Sequence, residues 1–183
     1  MSIKKVAVIG AGTMGAGIAG QAANAGLDVL LLDLPGEEGS ENAFAQRGLD
    51  RISNPANPGL ISDAAKARIT TGNIRDDFDK LSECDWIAEA ILERLDLKKD
   101  LYNKLDAVCK DTAIISSNTS TIPLDTLTKG LPKDFANDFL IAHFFNPPRY
   151  LRLLEIVTGK NTDEKQANRA RNFGDINLGK SIV

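Results

Sequence analysis

Cysteine, histidine and runs of like charge are scarce in this sequence of 183 residues. The two cysteines, Cys84 and Cys109, are too few and too isolated for a disulfide framework or a metal site. We therefore expect no metal, and two small buried side chains in a reducing cytoplasm. A net charge of −3 without a cluster of lysine and arginine argues against nucleic acid as a partner. No apolar stretch is long enough for a membrane span or a signal-peptide core, so we expect a cytoplasmic protein without membrane insertion.

Apolar segments of strand length alternate with helical patterns along the chain. Strands are expected near residues 5–9, 28–33, 68–73, 85–91, 112–117, 138–144, 151–157 and 180–183. Helices are expected near residues 13–25, 40–53, 61–67, 94–109, 123–130 and 162–178. This alternation is typical of a doubly wound α/β fold, in which helices cover both faces of a mostly parallel sheet. We expect residues 1–183 to form one such domain, with antiparallel strands near the C-terminus.

A glycine-rich turn follows the first predicted strand. Residues 10–15 read GAGTMG, after the apolar run at 6–9 and before a stretch of small residues that ends at Gly26. A second apolar run at 29–32 then ends at an acid, Asp33. Strand, glycine turn, helix, strand and carboxylate is the order of a Rossmann-type dinucleotide-binding unit, and a purely structural glycine turn would not explain it. In such a unit the helix N-terminus attracts the pyrophosphate.

Asp33 also indicates which dinucleotide is bound. A carboxylate at the end of the second strand accepts hydrogen bonds from the ribose hydroxyls of the adenosine half of NAD. It would repel the 2′-phosphate of NADP, and no arginine among residues 34–38 offsets that repulsion. The sequence therefore predicts NAD rather than NADP as the cofactor.

The single histidine, His143, ends the sixth predicted strand, at the edge of the sheet where ligands bind in open α/β folds. If the chain turns near Arg149 and returns antiparallel, Glu155 becomes the cross-strand neighbour of His143. A carboxylate in an apolar strand needs a partner, and the pairing would orient His143 as a general base. The alternative is a packed histidine, with Glu155 paired to Arg149 or Arg152.

Small polar residues end the fifth predicted strand, where residues 116–120 read SSNTS. Their hydroxyl and amide groups could hydrogen-bond a substrate oxygen or the nicotinamide. Such residues also form turns and helix N-caps, so the sequence leaves a binding role and a structural role open.

Together these motifs resemble the L-3-hydroxyacyl-CoA dehydrogenase family, the NAD-dependent oxidation step of fatty-acid β-oxidation. The resemblance covers essentially the whole chain. It rests on GAGTMGAGIA at 10–19, AEAILE at 88–93, SSNTS at 116–120 and HFFNPP at 143–148, in this order. It implies oxidation of L-3-hydroxyacyl-CoA to 3-ketoacyl-CoA, with an acyl-CoA as the substrate.

The resemblance also implies roles for individual residues. His143 corresponds to the general base, Glu155 to the glutamate that orients it, and Ser120 to the serine that contacts the substrate's 3-oxygen. Glu93 and Lys98 correspond to cofactor-contacting positions, although charged residues at the start of a helix also serve capping and solvation. From the glycine motif and the resemblance together, the expected cofactor-binding residues are Gly10, Gly12, Thr13, Met14, Gly15, Asp33, Glu93, Lys98, Asn118 and Asn146.

Members of this family continue into a helical second domain, which carries another asparagine of the site, part of the acyl-CoA cleft and most of the dimer interface. This chain ends in an apolar run at 181–183, so we expect it to be the first domain of a longer protein that dimerises through the second domain. The stretch PPRYLRLLE at 147–155 resembles long bifunctional members with a hydratase domain. On this interpretation, activity of the chain alone is in question.

Two alternative functions fit the same fold. One is an NAD-binding sensor or structural protein without catalysis, which would not need His143, Glu155 and Ser120 together. The other is a related NAD-dependent dehydrogenase that acts on free hydroxy acids or sugar acids.

Overall fold

The strands of this protein are short apolar segments that join a single sheet. The computed structural model describes residues 2–56 and 58–183. Within these ranges the strands are β1 (Lys5–Ile9), β2 (Asp28–Asp33), β3 (Ile69–Asn73), β4 (Trp86–Glu89), β5 (Ile114–Ser117), β6 (Phe139–Phe144), β7 (Leu153–Val157) and β8 (Ser181–Ile182). Valine, isoleucine and leucine dominate β1 and β2, as expected for strands that pack through their side chains.

Helices connect most of these strands. They are α1 (Thr13–Asn24), α2 (Ala43–Ser53), α3 (Asp63–Lys66), α4 (Leu95–Asp106), α5 (Leu124–Thr128), α6 (Lys133–Asp138) and α7 (Glu164–Asn172). A 3₁₀ segment, Phe78–Glu83, precedes β4, and a π-helical segment, Phe173–Asn177, continues α7. Across the part of the chain that the structure describes, no helix is both long and apolar enough to cross a membrane.

The strand order is β3-β2-β1-β4-β5-β6-β7-β8, and the first six strands run parallel. β7 returns antiparallel to β6, and β8 pairs parallel with β7. The direction in which successive strands are added reverses between β1 and β4. In open α/β sheets ligands bind at this reversal, outside the carboxyl ends of the strands. The topology therefore brings the ends of β1, β4, β5 and β6 together at one edge.

Apolar side chains cover both faces of the sheet. In β1, Val6 and Val8 belong to the core that contains side chains of α1 and α2. Ala7 and Ile9 belong to the opposite core, which contains side chains of α4, α5 and α6. Because both faces are buried, parallel strands read as continuous apolar runs instead of alternating patterns. This explains why the runs in β1 and β2 were visible in the sequence.

The predicted fold class is confirmed: the sheet is doubly wound and mostly parallel, and two strands near the C-terminus, β7 and β8, run antiparallel to the other six. Two helices differ from the prediction. The helix predicted at 123–130 ends earlier, as α5. Gly130, whose φ of +86° is typical of a residue just past a helix, and Pro132 separate α5 from a second short helix, α6. The helix predicted at 162–178 is α-helical only to Asn172 and continues as the π-helical segment.

The glycine turn at residues 10–15 packs directly against the end of β4. Gly10 has a φ of +100°, and a Cβ there would lie 2.5 Å from the carbonyl oxygen of Ala90. A Cβ on Gly15 would lie 1.7 Å from the carbonyl oxygen of Gly10. Gly12 differs, because a Cβ there would meet no atom within 4 Å. The fold therefore requires glycine at 10 and 15 but not at 12.

Replacing Gly15 with alanine is expected to destabilise the fold. The added Cβ overlaps the Gly10 carbonyl oxygen. The backbone must shift to remove this overlap, which costs about 1–3 kcal/mol or more. Thermal unfolding of the Gly15→Ala chain, followed by circular dichroism, measures this loss. Gly12→Ala is the matched control, and its free energy of unfolding should stay within about 1 kcal/mol of the wild type. Equal stability of the two variants would contradict this description of the turn.

Candidate active site

A cavity of about 380 Å³ opens at the carboxyl ends of β4, β5 and β6, next to the start of α1. Its lining residues are Met14, Ala90, Ile91, Glu93, Lys98, Asn118, Ser120, His143, Phe144, Phe145 and Asn146. The lining includes seven of the predicted site residues, namely Met14, Glu93, Lys98, Asn118, Ser120, His143 and Asn146. The predicted residues outside the lining are Glu155, which contacts His143, and Gly10, Gly12, Thr13, Gly15 and Asp33, which lie in and beside the glycine turn.

The N-terminus of α1 is suited to receive an anion beside this cavity. No side chain caps the helix at Gly12, and its first turn carries no acidic residue. Gly12 and Thr13 are exposed, and the space next to Gly12 is open. The backbone N–H groups of the first turn and the positive end of the helix dipole are therefore accessible to a ligand. A pyrophosphate is the kind of group that such a helix N-terminus binds.

Asp33 ends β2 beside the glycine turn. Its two carboxylate oxygens accept hydrogen bonds from the N–H of Ala11 at 2.5 Å and from the N–H of Leu34 at 2.7 Å. The Ala11 contact, which the sequence did not predict, ties β2 to the turn. Each oxygen keeps a second lone pair and the side chain is only partly buried, so Asp33 still has acceptor capacity for a ligand hydroxyl.

His143 and Glu155 form a hydrogen-bonded pair at the wall of the cavity. β6 and β7 pair in the register that sets His143 opposite Glu155, which confirms the predicted cross-strand contact. Nδ1 of His143 lies 2.8 Å from Oε2 of Glu155, and the imidazole packs against the Phe145 ring at a centroid distance of 4.6 Å. A carboxylate at Nδ1 favours the proton there and leaves Nε2 as an acceptor. Arg149, one alternative partner of Glu155, instead donates to the carbonyl of Pro58.

The polar segment after β5 contributes Asn118 and Ser120 to the cavity. Oδ1 of Asn118 accepts a hydrogen bond from the N–H of Phe144 at 2.9 Å, and the N–H of Asn118 donates to the carbonyl of Glu89 at 2.8 Å. Asn118 thus ties the segment to β4 and β6, which is a structural role. The Ser120 hydroxyl is exposed and has no hydrogen-bond partner among the described residues. Asn146 is also exposed at the cavity.

Lys98 is a buried cation between two carboxylates. Its Nζ lies 2.6 Å from Oε1 of Glu89 and 3.3 Å from Oε2 of Glu93. The side chain of Lys98 is 1% exposed, so the alternative that it serves only solvation at the start of α4 is wrong. Burial raises the pKa of Glu93, but hydrogen bonds from Thr119 and Thr121 and the Lys98 charge outweigh burial and hold that pKa below its ordinary value.

Glu89, at the end of β4, is a residue of this site that the sequence analysis missed. Its fully buried carboxylate accepts four hydrogen bonds, which come from Ile91 N at 2.8 Å, Lys98 Nζ at 2.6 Å, Tyr102 Oη at 2.6 Å and Ser117 Oγ at 2.7 Å. Burial and the adjoining carboxylate raise the pKa of Tyr102. The signal was present in the sequence, because an acid that ends the apolar run WIAE needs a buried partner.

Residues 5–183 match a family model described as 3-hydroxyacyl-CoA dehydrogenase, NAD binding domain. The chain belongs to this family. A probable 3-hydroxyacyl-CoA dehydrogenase of Deinococcus radiodurans is 49% identical over 186 residues, which cover 100% of this chain and 53% of that protein. A putative fatty acid oxidation complex trifunctional enzyme of Rickettsia felis is 40% identical over 182 residues, which cover 99% of this chain and 25% of that protein.

Solved structures of 3-hydroxybutyryl-CoA dehydrogenases share this fold. The enzyme from Escherichia coli superimposes with a TM-score of 0.85 at 30% identity, over 100% of this chain and 38% of that chain. The (S)-3-hydroxybutyryl-CoA dehydrogenase from Ralstonia eutropha gives a TM-score of 0.81 at 31% identity, over 100% of this chain and 63% of that chain. The present chain therefore spans less than two thirds of each of these relatives.

The family to which the chain belongs binds NAD, the cofactor that the sequence predicts. The residues present fit that cofactor. Open space next to Gly12 leaves room for a pyrophosphate at the N-terminus of α1, and Asp33 retains acceptor capacity for hydroxyl groups. The cavity that adjoins the turn at Met14 extends the site to His143.

Replacing Lys98 with methionine is expected to destabilise the domain strongly. Methionine has a similar length but no charge, so the Glu89 carboxylate would stay buried without its cation. Removal of one partner of a buried ion pair costs about 3–5 kcal/mol. Urea unfolding of the Lys98→Met chain measures this loss. Lys99→Met is the matched control, because Lys99 donates only an exposed hydrogen bond, to the carbonyl of Lys129. Its free energy of unfolding should change by less than about 1 kcal/mol. A similar loss of stability in both variants would contradict a stabilising role of the Lys98–Glu89 ion pair.

Proposed function

We propose that this chain is the cofactor-binding and catalytic-base domain of an enzyme that oxidises L-3-hydroxyacyl-CoA to 3-ketoacyl-CoA with NAD, in fatty-acid β-oxidation. The observation that carries the proposal is the His143–Glu155 pair at the cavity, beside the glycine turn. A protein that only bound NAD would not need an oriented imidazole there. The relatives support the substrate class, since those from D. radiodurans and E. coli are named 3-hydroxyacyl-CoA and 3-hydroxybutyryl-CoA dehydrogenases.

His143 has the geometry of a general base. With Nδ1 hydrogen-bonded to Glu155, Nε2 accepts the proton of the substrate's 3-hydroxyl as C3 is oxidised. NAD, when bound, supplies the acceptor for the hydride that leaves C3. The Glu155 carboxylate stabilises the imidazolium that results. In the reverse direction His143 returns the proton to the ketone oxygen.

Ser120 is the residue best suited to orient the substrate oxygen. Its hydroxyl is exposed at the cavity, has no described partner and can donate to the 3-oxygen. The residues that surround the same cavity and would hold the nicotinamide and its ribose are Glu93, Lys98, Asn118 and Asn146. The glycine turn, residues 10–15, would hold the pyrophosphate, and Asp33 the adenosine ribose.

The acyl-CoA site is expected to need more than this chain. The chain spans 53% of the D. radiodurans relative and 25% of the R. felis relative. We propose that a helical second domain completes the acyl-CoA cleft and the homodimer interface in the whole, cytoplasmic protein. Activity is therefore best measured on this chain and on a form extended past Val183.

Replacement of His143 with glutamine should abolish most of the reaction. In this ketone-reducing assay the variant lacks the group that gives a proton to the ketone oxygen, so kcat for NADH oxidation with acetoacetyl-CoA should fall by about 10²- to 10⁴-fold. Fluorescence titration should show NADH affinity within about threefold of the wild type, because the glycine turn is unchanged.

Two further variants test the role of the pair. Glu155→Gln keeps an acceptor for Nδ1 but loses the charge, and should lower kcat by about tenfold or more. Arg152→Gln is the control, since Arg152 is exposed on the same hairpin and should leave kcat unchanged. Full activity in His143→Gln would overturn the proposed mechanism, and binding of NADH without turnover in every form would favour a non-catalytic domain.

Loss of the Asp33 charge is expected to weaken the preference for NAD over NADP. Asp33→Asn keeps an oxygen that can accept from Ala11 but removes the repulsion of a 2′-phosphate, so the ratio of the NADPH and NADH dissociation constants should fall by about tenfold or more. Titration with both nucleotides measures this ratio. Asp28→Asn, at the opposite end of β2, is the control, and an unchanged ratio in both variants would exclude Asp33 as the selective group.

A further inference from the structure

The ammonium of Lys98 is shared unequally by its two carboxylates. Glu89 contacts it at 2.6 Å and is fully buried, whereas Glu93 contacts it at 3.3 Å and has a side chain that is 41% exposed. Water screens the Glu93 charge but does not reach Glu89, so the attraction to Glu89 is the stronger one. The charge of Lys98 is therefore neutralised mainly by Glu89, on the buried side of the ammonium.

The Glu89 carboxylate is itself held in one orientation. One oxygen accepts from Ile91 N and Lys98 Nζ, and the other from the hydroxyls of Tyr102 and Ser117. These donors belong to the loop after β4, to α4 and to β5, so three segments fix the same group. Ile91, Lys98 and Glu93 all line the cavity. A change at Glu89 therefore reaches the wall of the site although Glu89 itself is not part of the lining.

We propose that Glu89 is a positioning residue of the cofactor site: it neutralises Lys98 and thereby leaves the charge of Glu93 at the cavity to favour the oxidised, cationic form of NAD. This proposal rests on the proposed function, in which Glu93 and Lys98 lie around the nicotinamide.

The preference follows from the charges of this cluster. Glu89, Lys98 and Glu93 carry one negative, one positive and one negative charge, which leaves a net charge of −1 beside the cavity. The nicotinamide ring is positive in NAD⁺ and neutral in NADH. A net negative wall therefore stabilises bound NAD⁺ relative to bound NADH. The His143–Glu155 pair also faces the cavity, but it is the same in every variant compared below.

Glu89→Gln isolates the charge from the hydrogen bonds. The amide oxygen can accept from Ile91 and Lys98, and the amide NH₂ can donate to the hydroxyl oxygens of Tyr102 and Ser117, each of which has a lone pair that can accept. The variant therefore retains the contacts and raises the net charge of the cluster from −1 to 0. A purely structural role of Glu89 predicts equal weakening of NAD⁺ and NADH binding, whereas the proposed role predicts a selective loss of NAD⁺.

The measurement is the ratio of the dissociation constants for NAD⁺ and NADH. NADH is titrated by its fluorescence with this chain, and NAD⁺ by competition against bound NADH. In Glu89→Gln the ratio should rise by about tenfold, mostly through weaker NAD⁺ binding. Tyr102→Phe is the matched control, because it removes a hydrogen bond to the same carboxylate without a change of charge. Its ratio should stay within about threefold of the wild type.

Glu93→Gln covers the case in which Glu89→Gln does not fold. Glu93 is partly exposed, and loss of its charge also raises the net charge of the cluster from −1 to 0, so the ratio should again rise by about tenfold. An unchanged ratio in Glu89→Gln or in Glu93→Gln, or a shifted ratio in Tyr102→Phe, would overturn the proposal. If the wild-type chain bound neither nucleotide, the proposed function would fail first, and the two failures are thereby distinguished.

Discussion

Gly10 lies against Gly15 and against Ala90 at separations that only the absence of a Cβ allows. This contact sets the angle at which α1 leaves β1, and it brings the N-terminus of α1 next to the segment that follows β4. The same segment carries Ile91 and Glu93 into the cavity. The N-terminus of α1 and the polar cavity are thus parts of one surface, because Gly10 contacts Gly15 and Ala90 through backbone atoms that a Cβ would push apart.

The polar contacts of this surface depend on two acids that occur in apolar strands. Glu155 in β7 pairs with His143, and Glu89 in β4 pairs with Lys98. Their surroundings differ, since the side chain of Glu155 is 44% exposed and that of Glu89 is fully buried. Because Glu155 lies near solvent, water can adjust around the pair when the charge of His143 changes, and this suits a histidine that accepts a proton. A carboxylate without access to water fixes the charge of its partner, which suits a constant field beside a cofactor.

The sequence predicted the parts of the site that local geometry determines. The glycine turn was visible because its glycines, the flanking apolar runs and Asp33 occur within one βαβ unit. The His143–Glu155 contact was visible because side chains alternate between the two faces of a strand, so the position of the turn fixes which residues of a hairpin lie opposite each other. The Glu89 cluster was missed because its three side-chain donors come from 9, 13 and 28 positions away, on elements whose packing the sequence does not show. The short helix α6 was missed because six residues give no readable helical period.

The two halves of the site differ in how far apart their contacts lie along the chain. His143 and Glu155 are separated by 12 residues, whereas Gly10 and Ala90 are 80 positions apart. Loop closure costs about 0.6 kcal/mol more for each doubling of loop length, so bringing Gly10 to Ala90 costs about 1.6 kcal/mol more chain entropy than closing the hairpin. The His143–Glu155 hairpin is therefore the local half of the candidate site. The glycine turn meets the segment after β4 only when parts of the chain that are far apart in sequence have come together.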